Sequence, residues 1–167
     1  MNRDAMKKLF RAVPLTLACG VLVAACGGGG SDTPADPIDP YVGTWEGACM
    51  DQGSNKWLRY TWSFAKVTAS TASGALNAQQ FGNADCEGKP LGGVSGAFPI
   101  VAIAGTTTAS GKAAGKLALT GDNNKVTRYL FAAEGDVLYS SLGAKVDLDA
   151  DGFPTGLKLD YPYTLKP

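Results

Sequence analysis

The chain has 167 residues, with fifteen Lys and Arg balanced by fifteen Asp and Glu, and it contains no histidine. Histidine is the side chain that titrates near neutrality, so its absence excludes Ser-His-Asp and Cys-His hydrolysis and any His-ligated zinc site. Carboxylate-pair, Ser-Lys and tyrosine chemistry stay open, in a length that suits one ordinary domain with short extensions.

A basic start (Arg3, Lys7, Lys8, Arg11) precedes an apolar run from Ala12 to Ala25 that ends in small residues, the order of parts in a secretory signal. The run is broken by Pro14 and is shorter than the roughly 20 residues that a helix needs to cross a bilayer, although an uncleaved anchor is the alternative reading. It closes on Val23-Ala24-Ala25-Cys26, which resembles the lipobox of bacterial lipoproteins. That resemblance implies a signal peptide over 1–25 that is removed, acylation of Cys26 by a chain such as palmitate, and attachment to a membrane. Gly27 follows the cysteine where inner-membrane lipoproteins tend to carry aspartate, so the implied place is the outer membrane, with the domain facing the periplasm. Loss of the signal takes away four basic residues and only Asp4, which leaves a mildly acidic chain. Without a basic stripe it has no footprint for nucleic acid.

Residues 26–40 contain four consecutive glycines, then Ser31, Asp32, Pro34, Pro37 and Pro40, and nothing that could form a core. The stretch is expected to act as a tether, spanning on the order of 20 Å as a coil. Of four cysteines, Cys19 leaves with the signal and Cys26 carries lipid, so Cys49 and Cys86 remain as a pair in an oxidising compartment. A Cys49–Cys86 disulfide is expected, worth roughly 4 kcal/mol on the chain-entropy estimate. Two free thiols are the alternative; a zinc site would be short of ligands.

From Tyr41 to Pro167 the texture is short alternating runs cut by Gly, Asn and Asp. In Trp57–Val67, Leu58, Tyr60, Trp62 and Phe64 share one parity while Arg59, Thr61 and Ser63 share the other, the signature of a strand with one apolar face. Ala69–Gly74 and Thr106–Gly115 are small and hydroxylic and read as loops or irregular strand ends. Phe98–Ile103 is apolar on both parities, and Pro99 within it argues for an edge or a bulge. Leu117–Thr120, Val126–Ala133, Val137–Leu142, Val146–Leu148 and Leu157–Leu165 alternate again, with turns at Gly121–Asn124 and Glu134–Asp136. No helical period is sustained. The expected fold is all-β, about eight to ten short antiparallel strands in a barrel or sandwich.

Gly43-Thr44-Trp45 opens the folded part. It resembles the G-x-W motif on the first strand of lipocalins and other calycins, whose tryptophan packs across the closed end of an up-and-down barrel. The resemblance implies a single barrel with an apolar cup lined by Trp45, Tyr60, Trp62, Phe64, Tyr129 and Phe131, and a C-terminal cation over Trp45, for which Lys158 or Lys166 is at hand. Trp45 as an ordinary core residue of another β fold is the alternative.

Asp147-Leu148-Asp149-Ala150-Asp151-Gly152 is similar to the first half of an EF-hand calcium loop, with Asp147, Asp149 and Asp151 as ligands. Its twelfth position is Lys158 rather than a bidentate glutamate, and a solvated turn is the plainer reading. Beyond that calcium no cofactor is indicated. Glu46, Glu87 and Glu134 sit beside glycines or turns, so no catalytic residues are nominated. The expectation is a non-enzymatic, lipid-anchored barrel binding a small apolar ligand or an envelope partner. A scaffold or accessory subunit with a solid core is the alternative, and a carboxylate-based enzyme is third.

Overall fold

A computed structural model describes residues 35–167. The signal peptide, the lipobox with Cys26 and most of the tether lie outside the described residues. Nine strands follow in chain order: β1 (Gly43–Gly47), β2 (Met50–Asp51), β3 (Trp57–Lys66), β4 (Thr71–Phe81), β5 (Gly92–Ala109), β6 (Lys112–Thr120), β7 (Val126–Glu134), β8 (Val137–Ser140) and β9 (Lys158–Leu165). Their hydrogen-bonded order is β1-β9-β8-β7-β6-β5-β4-β3-β2, and β1 also pairs with β3. Eight strands therefore close an antiparallel up-and-down barrel, with β2 a ninth strand outside the ring. The expected all-β barrel is present, and it is consistent with a lipocalin-like fold.

The pairing of β3 with β4 explains why these sequences form strands. Tyr60 lies opposite Ala78, Trp62 opposite Leu76 and Phe64 opposite Gly74. Two of these three rings thus face small residues on the next strand, the complementarity that fills a narrow barrel. A Cβ on Gly74 would come within 2.8 Å of the Phe64 ring. The segments Ala69–Gly74 and Thr106–Gly115, expected as loops or irregular strand ends, belong largely to β4, β5 and β6. Between β5 and β6 only Ser110 and Gly111 turn, both at positive φ (51° and 76°), as in a two-residue hairpin of type I′. Pro99 sits at a bulge, where the β4–β5 register shifts between Ala72 and Gly74, and one residue before the β5–β6 ladder begins at Ile100. Its missing N–H falls in that gap. Val146–Leu148, expected as a strand, lies instead in the long β8–β9 connection, where Leu148 makes a single bridge to Pro154.

One barrel end is plugged. A 3-10 turn over Asp39–Tyr41 leads into β1, and Ile38, Tyr41 and Trp45 are buried there. The Trp45 indole N–H donates to the Tyr41 carbonyl at 2.8 Å, so the tryptophan of the G-x-W motif does pack across a closed end. The folded body reaches back into the stretch read as tether: Ile38 is fully buried, and the Lys66 ammonium lies 2.6 Å from both Asp36 and Asp39. The hydrogen bond from Lys66 holds the Asp39 carboxyl below its usual range. No C-terminal lysine covers Trp45: the Lys166 ammonium pairs with Glu46 at 3.1 Å, and Lys158 pairs with Asp160.

At the opposite end the ring is incomplete. β6 pairs with β5 only from Ile100 onward, whereas β4 pairs with β5 back to Gly92. The first half of β5 therefore projects past the barrel with a neighbour on one side only.

Candidate functional site

The six aromatic residues nominated for a ligand cup all join one core cluster. Trp62 is its centre, with ring centroids of Phe64, Phe98, Tyr129 and Phe131 at 5.8, 6.2, 5.4 and 5.1 Å. Trp62 and Phe131 are 0% exposed, Trp45 1% and Phe64 3%. Water reaches none of the Trp62 or Phe131 surface, so these two rings fill the interior where they lie. Val101, Leu117, Leu119 and Leu138 complete the packing from the remaining strands. Alternation along β3 identified the face that turns inward. It could not say what the facing strands would place against it.

Only Tyr60 and Tyr129 of the six are half-buried, toward the end opposite the plug. Tyr161 and Tyr163, which sequence reasoning did not nominate, join them: Tyr161 meets Tyr60 edge-on at 6.3 Å and Tyr163 at 5.2 Å. Burial pushes the phenols of Tyr129, Tyr161 and above all Tyr163 upward, so they stay protonated. The Tyr161 hydroxyl donates to the Ala48 carbonyl. The Trp62 indole N–H lies beside the Tyr163 hydroxyl but makes no hydrogen bond of good geometry, a buried donor left without an acceptor.

Cys49 and Cys86 form the expected disulfide, 37 residues apart with Cα atoms 5.7 Å from one another. It ties the β1–β2 connection to the β4–β5 loop. Arg59 reinforces the same junction, donating to the Asp85 carbonyl at 2.7 Å, pairing with Glu46 at 3.4 Å and lying over the Phe81 ring.

The Asp-rich run packs on the outside of the barrel. Phe153 and Leu157 bury against Ala109, Ala114, Leu130 and Ala132, a second small core on the outer faces of β5, β6 and β7. Asp149 sits at the turn. One carboxylate oxygen accepts the N–H groups of Asp151 and Phe153, both at 2.9 Å, and the other lies 2.6 Å from the Lys116 ammonium, which is 3.4 Å from Asp151. The hydrogen bond from Lys116, then that from Phe153, depresses the Asp149 carboxyl; the same contact raises Lys116. Asp147, Asp149 and Asp151 do not converge. Among the described residues no group of three or more His, Cys, Asp or Glu is placed to hold a metal ion. Asp149→Ala should speed amide exchange at Asp151 and Phe153 while leaving the barrel strands protected, as read by hydrogen-exchange mass spectrometry. Calorimetric titration of the unaltered protein with calcium should return only the heat of dilution.

The glutamates are apart from one another as well. Glu134 pairs with Lys112 at 2.6 Å and Glu46 with Lys166, both on the outer surface. An open depression of about 740 Å³ crosses β1, β3, β4 and β5, lined mainly by outward residues such as Thr44, Ser63, Ala65, Ser73, Ala75 and Ala97. Its one lysine, Lys66, is already paired with Asp36 and Asp39, and Asp122 is the other charged residue in a lining of mostly small side chains. Comparison with protein families, with curated proteins and with solved structures finds no match to this chain.

Proposed function

We propose that this is a non-catalytic, lipid-anchored envelope protein, an accessory or scaffold subunit that works through the outside of a solid barrel. The observation that carries this reading is the burial of Trp62 and Phe131 on the barrel axis, each 0% exposed where a ligand-binding cup would need open space. The lipobox and Cys26 supply the anchor, Gly27 favours the outer membrane, and the periplasm is where a Cys49–Cys86 disulfide would persist. The folded body begins near Asp36, so about ten residues after Cys26 would separate it from the headgroups.

Cys26→Ser should abolish palmitate labelling and release the protein from the membrane fraction; retention of both properties defeats the anchor. Native mass spectrometry of the purified protein tests the solid barrel separately. The mass of the processed chain alone is expected, and a retained small molecule lost on unfolding would overturn this part of the reading.

A second reading keeps the small apolar ligand, seated between Tyr60 and Tyr129. The half-buried side chains of Tyr60 and Tyr129, the two of the six that stay partly accessible, favour it.

A further inference from the structure

We propose that the projecting half of β5 pairs with the same segment of a second copy of this chain, antiparallel about a two-fold axis at Val94. β5 has β4 beside it along its length, but β6 joins it only from Ile100 onward. Among the described residues, Gly92–Gly96 pairs with β4 on one side and with no strand on the other. The edge stops where the β6–β7 turn comes alongside, at Gly121 near the Ala97 carbonyl, and Pro99 follows. Unpaired N–H and C=O groups on such an edge form a ready template for another strand.

Proteins blunt lone edges with lysine, with proline, with inward charges or with bulges. None of these lies within Gly92–Gly96, and β5 carries no charged residue from Gly92 to Ala109. Position 93 has no room for such a guard, since a Cβ there would stand 2.6 Å from the Ala78 carbonyl of β4. Charge neutrality also points to the occupant. The edge offers no charge that would select a foreign strand, and it has none to repel its own copy.

The two-fold axis at Val94 sets Val94 against Val94, Gly93 against Ser95 and Gly92 against Gly96. Val94 is 76% exposed. Its own counterpart would cover that side chain, and the flanking residues are too small to clash. Closed two-fold pairing is also the commonest arrangement for identical chains. A five-residue ladder is well below the roughly 1,600 Å² of a standard stable interface, so the dimer is a weak one that forms at high local concentration.

The test uses the full chain in detergent. Sedimentation equilibrium across a wide concentration range should give a reversible monomer–dimer equilibrium, and Val94→Lys should weaken dimerisation at least tenfold by setting two ammonium groups across the axis. The melting temperature of that variant should be unchanged, because the side chain is exposed. Val94→Cys, treated with a short bis-maleimide, should yield a peptide joined to itself at position 94. A monomer at every concentration overturns the proposal, as does a dimer indifferent to Val94→Lys. Crosslinking of position 94 to a different envelope protein would assign the edge to a foreign strand and equally reject self-pairing.

Discussion

Trp62→Ala should cost about 3–5 kcal/mol of stability, the range for a large buried aromatic cut back to a methyl group. The indole is 0% exposed and contacts four other rings, so the substitution removes its own buried apolar surface and opens a hole among them. The barrel wall resists collapse. Trp62 is held by Leu76 on β4 and Trp45 on β1 through backbone ladders that run on both sides of β3. Some of the loss is returned because the unpaired N–H disappears with the ring, which favours the lower half of the range. Tyr60→Ala, at a half-buried position on the same face, should cost clearly less. Urea unfolding measures both. A loss for Trp62→Ala no larger than that for Tyr60→Ala would mean that the ring lines open space, and the solid-barrel reading would fail. The hole should also be dry and apolar, so a small hydrocarbon such as benzene should raise the melting temperature of Trp62→Ala and not that of the unaltered protein.

The same contrast between face and filling governs how much of this fold could be read in advance. β3 was legible because its aromatics share a parity that no helix would produce. Its neighbour β4 was not, because Ala72, Gly74 and Ala78 are small for a reason that lies on β3: they make room for Phe64 and Tyr60. Composition alone reads such a segment as loop. The opposite error arose at Val146–Leu148, where alternation is genuine but the chain leaves the barrel and lays Phe153 and Leu157 on its outside. Pro99 gave a correct warning of irregularity: it lies at the β4–β5 bulge and just before the β5–β6 ladder begins. For the site, parity brought five of the six aromatics to one interior, yet the packing around Trp62 depends on Leu117, Val101 and Leu138 arriving from distant strands. The aspartate run likewise rests on a distant partner, because Lys116, thirty-three residues from Asp149, pairs with its carboxylate at the turn.

Removing the disulfide is the second large effect. Cys49→Ser combined with Cys86→Ser should lower stability by about 2–4 kcal/mol, the span expected when a loop of this length is no longer closed in the unfolded chain. Native structure should survive, since the junction has other supports. Asn83 brackets the β4–β5 loop, donating to the Glu87 carbonyl at 3.0 Å and accepting its N–H at 3.1 Å, while Arg59 holds the Asp85 carbonyl. Cys86 adopts a positive φ of 51° that serine tolerates no better, so any strain there is common to both proteins. The expected pattern is therefore a lower urea midpoint, an unchanged near-ultraviolet spectrum, and faster amide exchange confined to the loop around Cys86. Loss of the near-ultraviolet signal would instead mean that the crosslink organises the folded barrel. Cys86 is only 2% exposed, so reductant should act slowly on the folded protein, at a rate limited by opening of that loop. Reduction as fast in the folded protein as in urea would contradict the buried placement of the bond.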